Sequence, residues 1–295
     1  MKKLAVLIGT LAISTGIQAD TANDRDIYDL MYLPEAGTAY GFTTVGYGQL
    51  KRESDDLGDI DFDGFQIDQT LGYALSDRFS LQLNLDYTKI DADPDGGSKY
   101  DAVKGISDPS LLARFRAVDE AFRLDFVGGA RINFQDREVK RDGDTNNTSG
   151  GHSFIIGPEV GTKSENVQWF AGAYLVHHLK AETEYSTGFG DATVEDDSYN
   201  ELVARTSLLH RLHEKNMLRW SAEGNFSGEV GNDRENIIGK TAPSTLYDFG
   251  LEYLYVASED MLIRVGGNYQ IYNTRTGQID EFQGWNAYLG ANYQF

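Results

Sequence analysis

The sequence contains no cysteine, only five prolines and little positive charge. Without cysteine the chain has no disulfide framework, no thiolate metal site and no cysteine nucleophile. Its 26 Lys and Arg residues against 46 Asp and Glu residues give a formal net charge of −20, which argues against nucleic acid as a partner, since phosphate binding requires a basic face. The 32 glycines and 17 tyrosines fit neither a disordered chain nor a helical domain.

Long hydrophobic runs are also missing, apart from one at the start. Two lysines precede the apolar run 4–13, and Ile17-Gln18-Ala19 offers a small-residue cleavage site before Asp20. This pattern predicts a signal peptide over residues 1–19. The run is too short for a spanning helix, which needs about 20 apolar residues. The processed chain is then soluble in the periplasm, secreted, or a membrane protein that spans as a closed β-barrel.

Alternation of apolar and polar residues dominates the chain from residue 38 onward. Phe65, Ile67, Leu71, Tyr73 and Leu75 share one face of a strand, and after a turn at 76–78 a second strand alternates from 79 to 88. We expect the apolar faces to coincide across this hairpin, with Leu75 opposite Phe79, Tyr73 opposite Leu81 and Leu71 opposite Leu83. The same reasoning predicts twelve strands in all, near 38–52, 65–75, 79–88, 109–117, 122–134, 153–163, 167–180, 199–212, 217–230, 244–256, 261–273 and 282–295.

The predicted connections alternate between short and long. The long ones span 53–61, 91–107, 136–152, 181–198, 231–243 and 274–281. Short turns at one end, long loops at the other and an even strand number are typical of transmembrane barrels. We therefore predict an all-β fold, a transmembrane antiparallel up-and-down β-barrel over residues 38–295. Residues 20–37 would form a periplasmic tail or a plug in the lumen, and the sequence does not decide between them.

Two segments resemble known proteins. The end Ala-Asn-Tyr-Gln-Phe, with Tyr293 and the terminal Phe295, is similar to the C-terminal signature of Gram-negative outer-membrane barrels. That resemblance implies an outer-membrane location and recognition of Tyr293 and Phe295 by the barrel-insertion machinery. The segment from Gly105 to Arg116, Gly-Ile-Ser-Asp-Pro-Ser-Leu-Leu-Ala-Arg-Phe-Arg, resembles a strand motif of a putative outer-membrane transporter family linked to meta-pathway phenol degradation, with Ser107 in place of the motif's second glycine.

Charged residues fall on the face opposite the apolar one, which predicts that they line the lumen. A two-residue turn at Asp119-Glu120 would place Arg116 opposite Arg123, so an anion or a cross-lumen carboxylate would have to compensate them. The functional interpretation is a transverse field that selects polar solutes, and the alternative is a salt-bridge network that closes the barrel. The predicted pore-lining residues are Arg114, Arg116, Arg123, Asp125, Arg131, Glu159, Arg205, Arg219, Glu223, Asp248, Glu252 and Arg264.

The predicted loops are strongly acidic. The spacings from Asp59 to Gly64 and from Asp91 to Gly96 match the start of a calcium loop, but Thr70 and Ala102 stand where the twelfth-position glutamate belongs. Weak divalent-ion binding at the loops is therefore one interpretation, and a solvated acidic surface is the other. We predict no metal centre and no cofactor.

Taken together, the sequence predicts an outer-membrane channel for passive diffusion of small polar or amphipathic solutes, in contact with outer-membrane lipid and lipopolysaccharide. No catalytic residues are predicted, since the chain has neither a Gly-x-Ser-x-Gly elbow nor a His-Glu-x-x-His motif. Two alternatives stay open. One is a barrel enzyme that hydrolyses lipid or peptide, with His177 or His178 as general base. The other is a closed structural or receptor barrel.

Overall fold

The computed structural model describes residues 27–28, 30–53, 59–95, 99–140, 144–162, 166–187, 190–231, 243–274 and 281–295. The predicted signal peptide and most of the two connections 231–243 and 274–281 lie outside these residues. In the described part, no helix is long and apolar enough to cross a membrane.

The described residues form sixteen strands. In chain order they are β1 (Ala39–Glu53), β2 (Ile60–Ser76), β3 (Phe79–Pro94), β4 (Tyr100–Ile106), β5 (Ser110–Asp119), β6 (Phe122–Arg131), β7 (Arg137–Val139), β8 (Ser153–Thr162), β9 (Val167–His178), β10 (Ala181–Thr187), β11 (Gly190–Asp196), β12 (Tyr199–His213), β13 (Asn216–Ser227), β14 (Ser244–Ser258), β15 (Met261–Thr274) and β16 (Glu281–Gln294).

Twelve of these strands close into an antiparallel barrel, as predicted. The order around the barrel is β1, β2, β3, β5, β6, β8, β9, β12, β13, β14, β15 and β16. The last strand pairs with the first along its whole length, from Tyr40 opposite Gln294 to Arg52 opposite Phe282. Backbone groups of neighbouring strands therefore satisfy each other around the cylinder, which is the condition for a sheet to span hydrocarbon.

The outside of the barrel is apolar and the charges lie inside. Alternate residues of each strand point outward, and the outward apolar side chains remain about half exposed, as at Leu111 (47%), Leu251 (42%) and Val265 (52%). On the neighbouring positions, Arg116, Arg123 and Asp125 have no exposed surface at all. Because a charge facing lipid at the midplane costs about 2–4 kcal/mol for Arg or Lys, this partition fits a membrane-spanning barrel.

The wall is interrupted between β4 and β5. The half of β3 next to the long connections pairs with β4, and the half next to the short turns pairs with β5. β4 and β5 together therefore occupy one strand position in the barrel wall. The break follows Gly105, whose φ of 137° lies in a region that favours glycine, and it contains Asp108 and Pro109. The buried Asp108 carboxylate accepts hydrogen bonds from the Ser149 backbone amide (2.7 Å) and hydroxyl (2.6 Å). Asp108 thereby anchors the segment that follows β7 to the wall.

Several predicted connections are themselves strands, so these parts of the prediction are wrong. Residues 100–106 form β4, and the predicted loop 181–198 forms the β10–β11 hairpin, which joins β7 in a separate three-stranded sheet. Arg137 in that sheet is buried beside Tyr185, and burial raises the pKa of the Tyr185 hydroxyl. These strands were missed because their acidic and small residues carry no alternating apolar face.

The predicted registers are partly wrong. In the first hairpin Tyr73 lies opposite Leu81, as predicted, but Phe79 pairs with Ser76 rather than Leu75 because the register shifts beside the turn. In the β5–β6 hairpin a similar shift between Arg116 and Val118 places Arg116 opposite Asp125 and Arg123 opposite Asp119. The predicted opposition of Arg116 and Arg123 does not occur. The bulge replaces a repulsive cross-strand pair by two attractive ones.

Candidate functional site in the barrel lumen

The periplasmic end of the lumen is occupied by residues that precede β1. We call residues 27, 28 and 30–33 the N-terminal segment. Ile27, Leu30, Met31 and Leu33 are at most 2% exposed. Ile27, Leu30 and Met31 are packed in an apolar cluster at the short-turn end of the barrel, whose wall residues are Phe170, Leu209, Met217, Leu254 and Leu262. The described part of residues 20–37 thus packs inside the barrel, and a plug formed by the whole segment stays a prediction.

Four polar contacts hold the same segment. The Leu30 amide donates to Gln168 Oε1 at 3.1 Å, and the Tyr32 hydroxyl donates to Gln294 Oε1 at 2.5 Å. The Met31 carbonyl accepts from Arg116 Nη2, and the Tyr28 hydroxyl accepts from Arg211 Nη2. The Arg211 guanidinium also lies 4.8 Å from the centre of the Tyr28 ring. Buried backbone groups of the segment thus find partners on the barrel wall.

Ion pairs surround the lumen next to this segment, and we call them the charged belt. Its first part lies on β5 and β6. Arg116 donates two hydrogen bonds to Asp125, at 2.9 Å (Nε to Oδ1) and 3.1 Å (Nη2 to Oδ2). Arg114 lies 2.9 Å from Glu159 and 3.5 Å from Asp125. All four side chains are at most 3% exposed, so little water screens these pairs.

Glu159 on β8 connects the first part of the belt to β12. Besides Arg114, it pairs with Arg205 at 2.6 Å and accepts a hydrogen bond from the Tyr174 hydroxyl. The Arg205 guanidinium stacks 4.8 Å from the Tyr174 ring and 5.2 Å from the Phe170 ring. Aromatic faces attract such a cation, which adds to the ion pair.

The second part of the belt lies on β13, β14 and β15. Glu252 pairs with Arg219 at 2.7 Å and with Arg264 at 3.3 Å. Arg264 also donates to the Thr44 hydroxyl of β1 at 2.7 Å. The belt therefore uses carboxylates on the adjoining strand or one strand farther along the wall. For Arg116 and Arg123, the predicted compensation by an anion or by a carboxylate across the lumen is wrong, because Asp125 and Asp119 lie opposite them on the neighbouring strand.

The remaining predicted lumen residues lie farther from the periplasmic turns. Asp248 accepts hydrogen bonds from Asn268 and, at 2.7 Å, from Gln270. Glu223 accepts from Asn225 at 3.2 Å. Arg131 lies at the far end of β6, opposite Ser110 and Ser153, away from the predicted pore-lining residues Arg114, Arg116 and Arg123. The structure thus brings Arg114, Arg116 and Arg123 together and separates Arg131 from them.

The two adjacent histidines point to opposite faces, as successive residues of a strand do. His177 Nδ1 lies 2.9 Å from Asn200 Oδ1 at an exposed position. His178 is buried, its Nε2 lies 3.1 Å from Glu201 Oε2, and its ring stacks on Tyr199 with centroids 4.3 Å apart. Stacking and the carboxylate fix the orientation of the imidazole, so His178 and Glu201 extend the polar interior above the belt.

Apolar side chains inside the barrel also cluster toward the extracellular end. A cluster of inward residues on β2, β3, β4, β14, β15 and β16 packs together there, consisting of Ile60, Phe62, Ala92, Ala102, Val103, Leu246, Tyr272 and Phe282. A third cluster lines the wall between β5 and β12, consisting of Leu112, Val127, Ile155, Tyr174, Val176 and Val203. The interior therefore combines a charged belt with apolar surfaces on both sides of it.

The acidic runs of the predicted calcium loops lie in strands. Asp61 and Asp63 of β2 stand opposite Asp93 and Asp91 of β3, in extended backbone. A calcium loop needs a tight turn around the ion, so the predicted loop geometry is wrong. Among the described residues, no group of three or more His, Asp or Glu side chains has a geometry that could hold a metal ion. Lys99 Nζ lies 3.0 Å from Asp63 and 3.8 Å from Asp91.

Sequence reasoning missed Tyr174 as part of the interior and left the N-terminal segment open between a periplasmic tail and a plug. Tyr174 belongs to a strand whose two faces are both rich in apolar residues, so its inward direction could not be read from alternation. The signal for the segment was its apolar content, with Ile27, Leu30 and Met31 close together before Pro34.

No protein-family model and no curated protein sequence matches the chain. Solved structures match its fold. An outer membrane channel from Pseudomonas putida F1 has a TM-score of 0.68 at 12% identity, covering 93% of this chain and 99% of that chain. The translocator domain of the autotransporter NalP from Neisseria meningitidis has a TM-score of 0.47 at 14% identity, covering 100% and 97%. A FadL homologue from Pseudomonas aeruginosa has 0.43 at 10% identity, covering 88% and 90%.

The structure and the first of these comparisons lead to one conclusion about fold and location. The barrel closes on itself, its outside is apolar, and its charges lie inside. An outer-membrane protein shares this architecture over nearly its whole length. The chain is a twelve-stranded β-barrel of the Gram-negative outer membrane.

Proposed function

We propose that this barrel is an outer-membrane channel for passive diffusion of small amphipathic solutes. The observation that carries the proposal is the mixed interior, in which a charged belt lies between apolar surfaces. A solute with a polar head and an apolar body finds a partner for each part along this path. The similarity in fold to an outer membrane channel supports the same assignment.

The charged belt supports a role in selecting solutes over a purely structural role. Replacing buried ion pairs by apolar side chains of similar volume is often neutral or stabilising. Stability alone therefore gives no reason for eight charged side chains in the belt, namely Arg114, Arg116, Asp125, Glu159, Arg205, Arg219, Glu252 and Arg264. A role in selecting what passes explains them, since fixed charges in a narrow lumen set selectivity.

The test is solute uptake by proteoliposomes that contain the purified, folded protein. Benzoate, as an amphipathic anion, is compared with a neutral sugar and a diamine of similar size, using the rate of liposome swelling. We expect benzoate to enter fastest. Equal swelling of protein-free and protein-containing liposomes with all three solutes would contradict the proposal.

A second measurement addresses the belt itself. Exchanging Arg114, Arg116, Arg123 and Arg131 for Ala removes four positive charges from the interior and should shift ion preference toward cations in planar bilayers. The shift is read as a change in reversal potential under a salt gradient. An unchanged reversal potential would mean that these arginines do not line the conducting path.

A further inference from the structure

The N-terminal segment occupies the periplasmic end of the lumen as an amphipathic ligand occupies a pocket. Its apolar body consists of Ile27, Leu30 and Met31, packed on Phe170, Leu209, Met217, Leu254 and Leu262. Its hydrogen-bond-accepting group is the Met31 carbonyl, which faces Arg116. The wall therefore recognises one acceptor oxygen and an apolar chain at the same time.

Arg116 is held ready for such an oxygen. Both its Nε and one Nη bind Asp125, so the guanidinium plane is fixed, and the side chain has no exposed surface. A guanidinium only donates hydrogen bonds, and it binds carboxylate oxygens more strongly than neutral ones. The site thus favours acceptor heads and disfavours cationic ones.

The segment can leave without disturbing the barrel. Its residues belong to no strand, and so its departure breaks no hydrogen bond of a barrel ladder. At the rim, the connection to β1 is fastened by the Ala36 amide on Asp77 (3.1 Å) and the Gly37 amide on the Ala74 carbonyl (2.8 Å). Gly37 has a φ of 90°, a conformation open to glycine, which makes it the turning point.

We propose that this periplasmic pocket is a binding site for amphipathic solutes with a hydrogen-bond-accepting head, and that the N-terminal segment is its built-in competitor. The site rests on the proposed channel function, since solutes reach it through the lumen. A solute whose polar head binds Arg116 and whose apolar chain packs on Phe170 and Leu254 makes the same contacts as the segment and therefore displaces it. Because the segment and the solute exclude each other, apparent affinity falls with the fraction of barrels that hold the segment.

The first experiment compares three probes with the same eight-carbon tail on the full-length processed protein in lipid nanodiscs. Octanoate, octan-1-ol and octylammonium are titrated by calorimetry, with empty nanodiscs subtracted for partition into lipid. Octanoate should bind best and octylammonium worst. Equal protein-dependent binding of all three would overturn the assignment of Arg116 as the recognising group.

A disulfide lock tests the competition directly. A Cβ placed on Gly161 would lie 3.3 Å from Met31 Cγ, close to the distance across a disulfide between one Cβ and the opposite sulfur. The chain has no native cysteine, so the pair Met31→Cys and Gly161→Cys forms one defined bond. Oxidation should abolish octanoate binding and reduction should restore it. Gly161→Cys alone is the control, since its side chain also approaches the Trp169 carbonyl.

Loosening the segment should have the opposite effect. Leu30→Ala with Met31→Ala removes apolar contacts of the segment and leaves the barrel wall intact, so octanoate should bind about tenfold more tightly. Glu35→Ala, at an exposed position just outside the segment, is the matched control and should leave the affinity unchanged. Arg116→Gln should remove the preference for octanoate over octan-1-ol. If that variant does not assemble into a barrel, the disulfide lock still tests whether the segment and octanoate compete for the pocket.

The site and the channel can fail separately. Octanoate binding that responds to the lock, without any solute uptake by proteoliposomes, keeps the site and refutes the channel. Uptake that is equally fast in the oxidised and reduced lock refutes the competitor and keeps the channel. Octanoate affinity that is identical in the locked, loosened and unchanged proteins would overturn the proposed site.

Discussion

Replacing Glu159 by Gln tests whether the charged belt is dry. The change keeps the size of the side chain and removes its charge, so two guanidiniums lose their common carboxylate, Arg114 at 2.9 Å and Arg205 at 2.6 Å. All three groups are at most 10% exposed. Removing one partner of a buried ion pair typically costs about 3–5 kcal/mol, because the remaining charge stays buried without compensation.

The matched control is the same exchange at an exposed ion pair. Glu195 pairs with Lys180, and their side chains are 39% and 61% exposed. An exposed pair contributes about 0–1 kcal/mol, and salt screens it. Glu195→Gln should therefore change the free energy of unfolding by less than about 1 kcal/mol, and any change should shrink further at high salt.

The assay is urea unfolding of barrels inserted in lipid vesicles, followed by tryptophan fluorescence. All three tryptophans are on the outer surface and about half exposed, at Trp169 (41%), Trp220 (52%) and Trp285 (46%). They move from lipid to water on unfolding, so their emission reports loss of the barrel. The free energy is extrapolated from the linear dependence on urea.

One outcome would refute the reasoning. If Glu159→Gln costs no more than Glu195→Gln and responds equally to salt, water reaches the belt and the pairs are not buried in the functional state. A second change gives a further check. Adding Arg205→Gln to Glu159→Gln should restore part of the loss, because contacting residues couple by about 0.5–3 kcal/mol.

Two further predictions concern the outside of the barrel and its end. Leu251→Arg, in the middle of β14 on the outer face, should destabilise the inserted barrel by about 2–4 kcal/mol in the urea assay, whereas Gln135→Arg on the extracellular side should change it little; equal effects would contradict the membrane-facing assignment. Phe295→Ala should reduce the yield of heat-modifiable barrel in the outer membrane, whereas Phe134→Ala, at a similarly exposed Phe (76% against 79%), should not; equal yields would remove Phe295 as an insertion signal.

The number of barrel strands, and the lipid or lumen face on which each of their residues lies, could be predicted from the sequence because both depend on a two-residue period. In β3, for example, Leu81 and Leu83 alternate with Gln82 and Asn84, and the structure buries the polar pair inside. Closure by β1 and β16 followed from the even strand number. The face on which a residue lies depends only on its position along its own strand, so a single sequence is enough to predict that face.

Pairing inside the lumen could not be predicted in the same way. Alternation showed that Arg116 faces inward but not that a bulge brings it opposite Asp125. The link from Glu159 on β8 to Arg205 on β12 crosses an intervening strand and depends on curvature of the closed wall. The hairpin of β10 and β11 escaped detection because strand pairing, including that with β7, rather than an apolar face holds it.

The seam between β1 and β16 has a consequence for the timing of assembly. Tyr40 and its neighbours cannot complete their pairing on this edge of β1 until the last strand is present, since their partners run from Gln294 back to Phe282. During export the edge of β1 offers unsatisfied amides to any passing strand, which is a hazard for aggregation. A polypeptide cut short before β16 would leave two such edges, and hydrocarbon tolerates neither. Closure at the seam therefore requires β16, because only a chain with all twelve barrel strands forms a closed cylinder without unpaired edges in lipid.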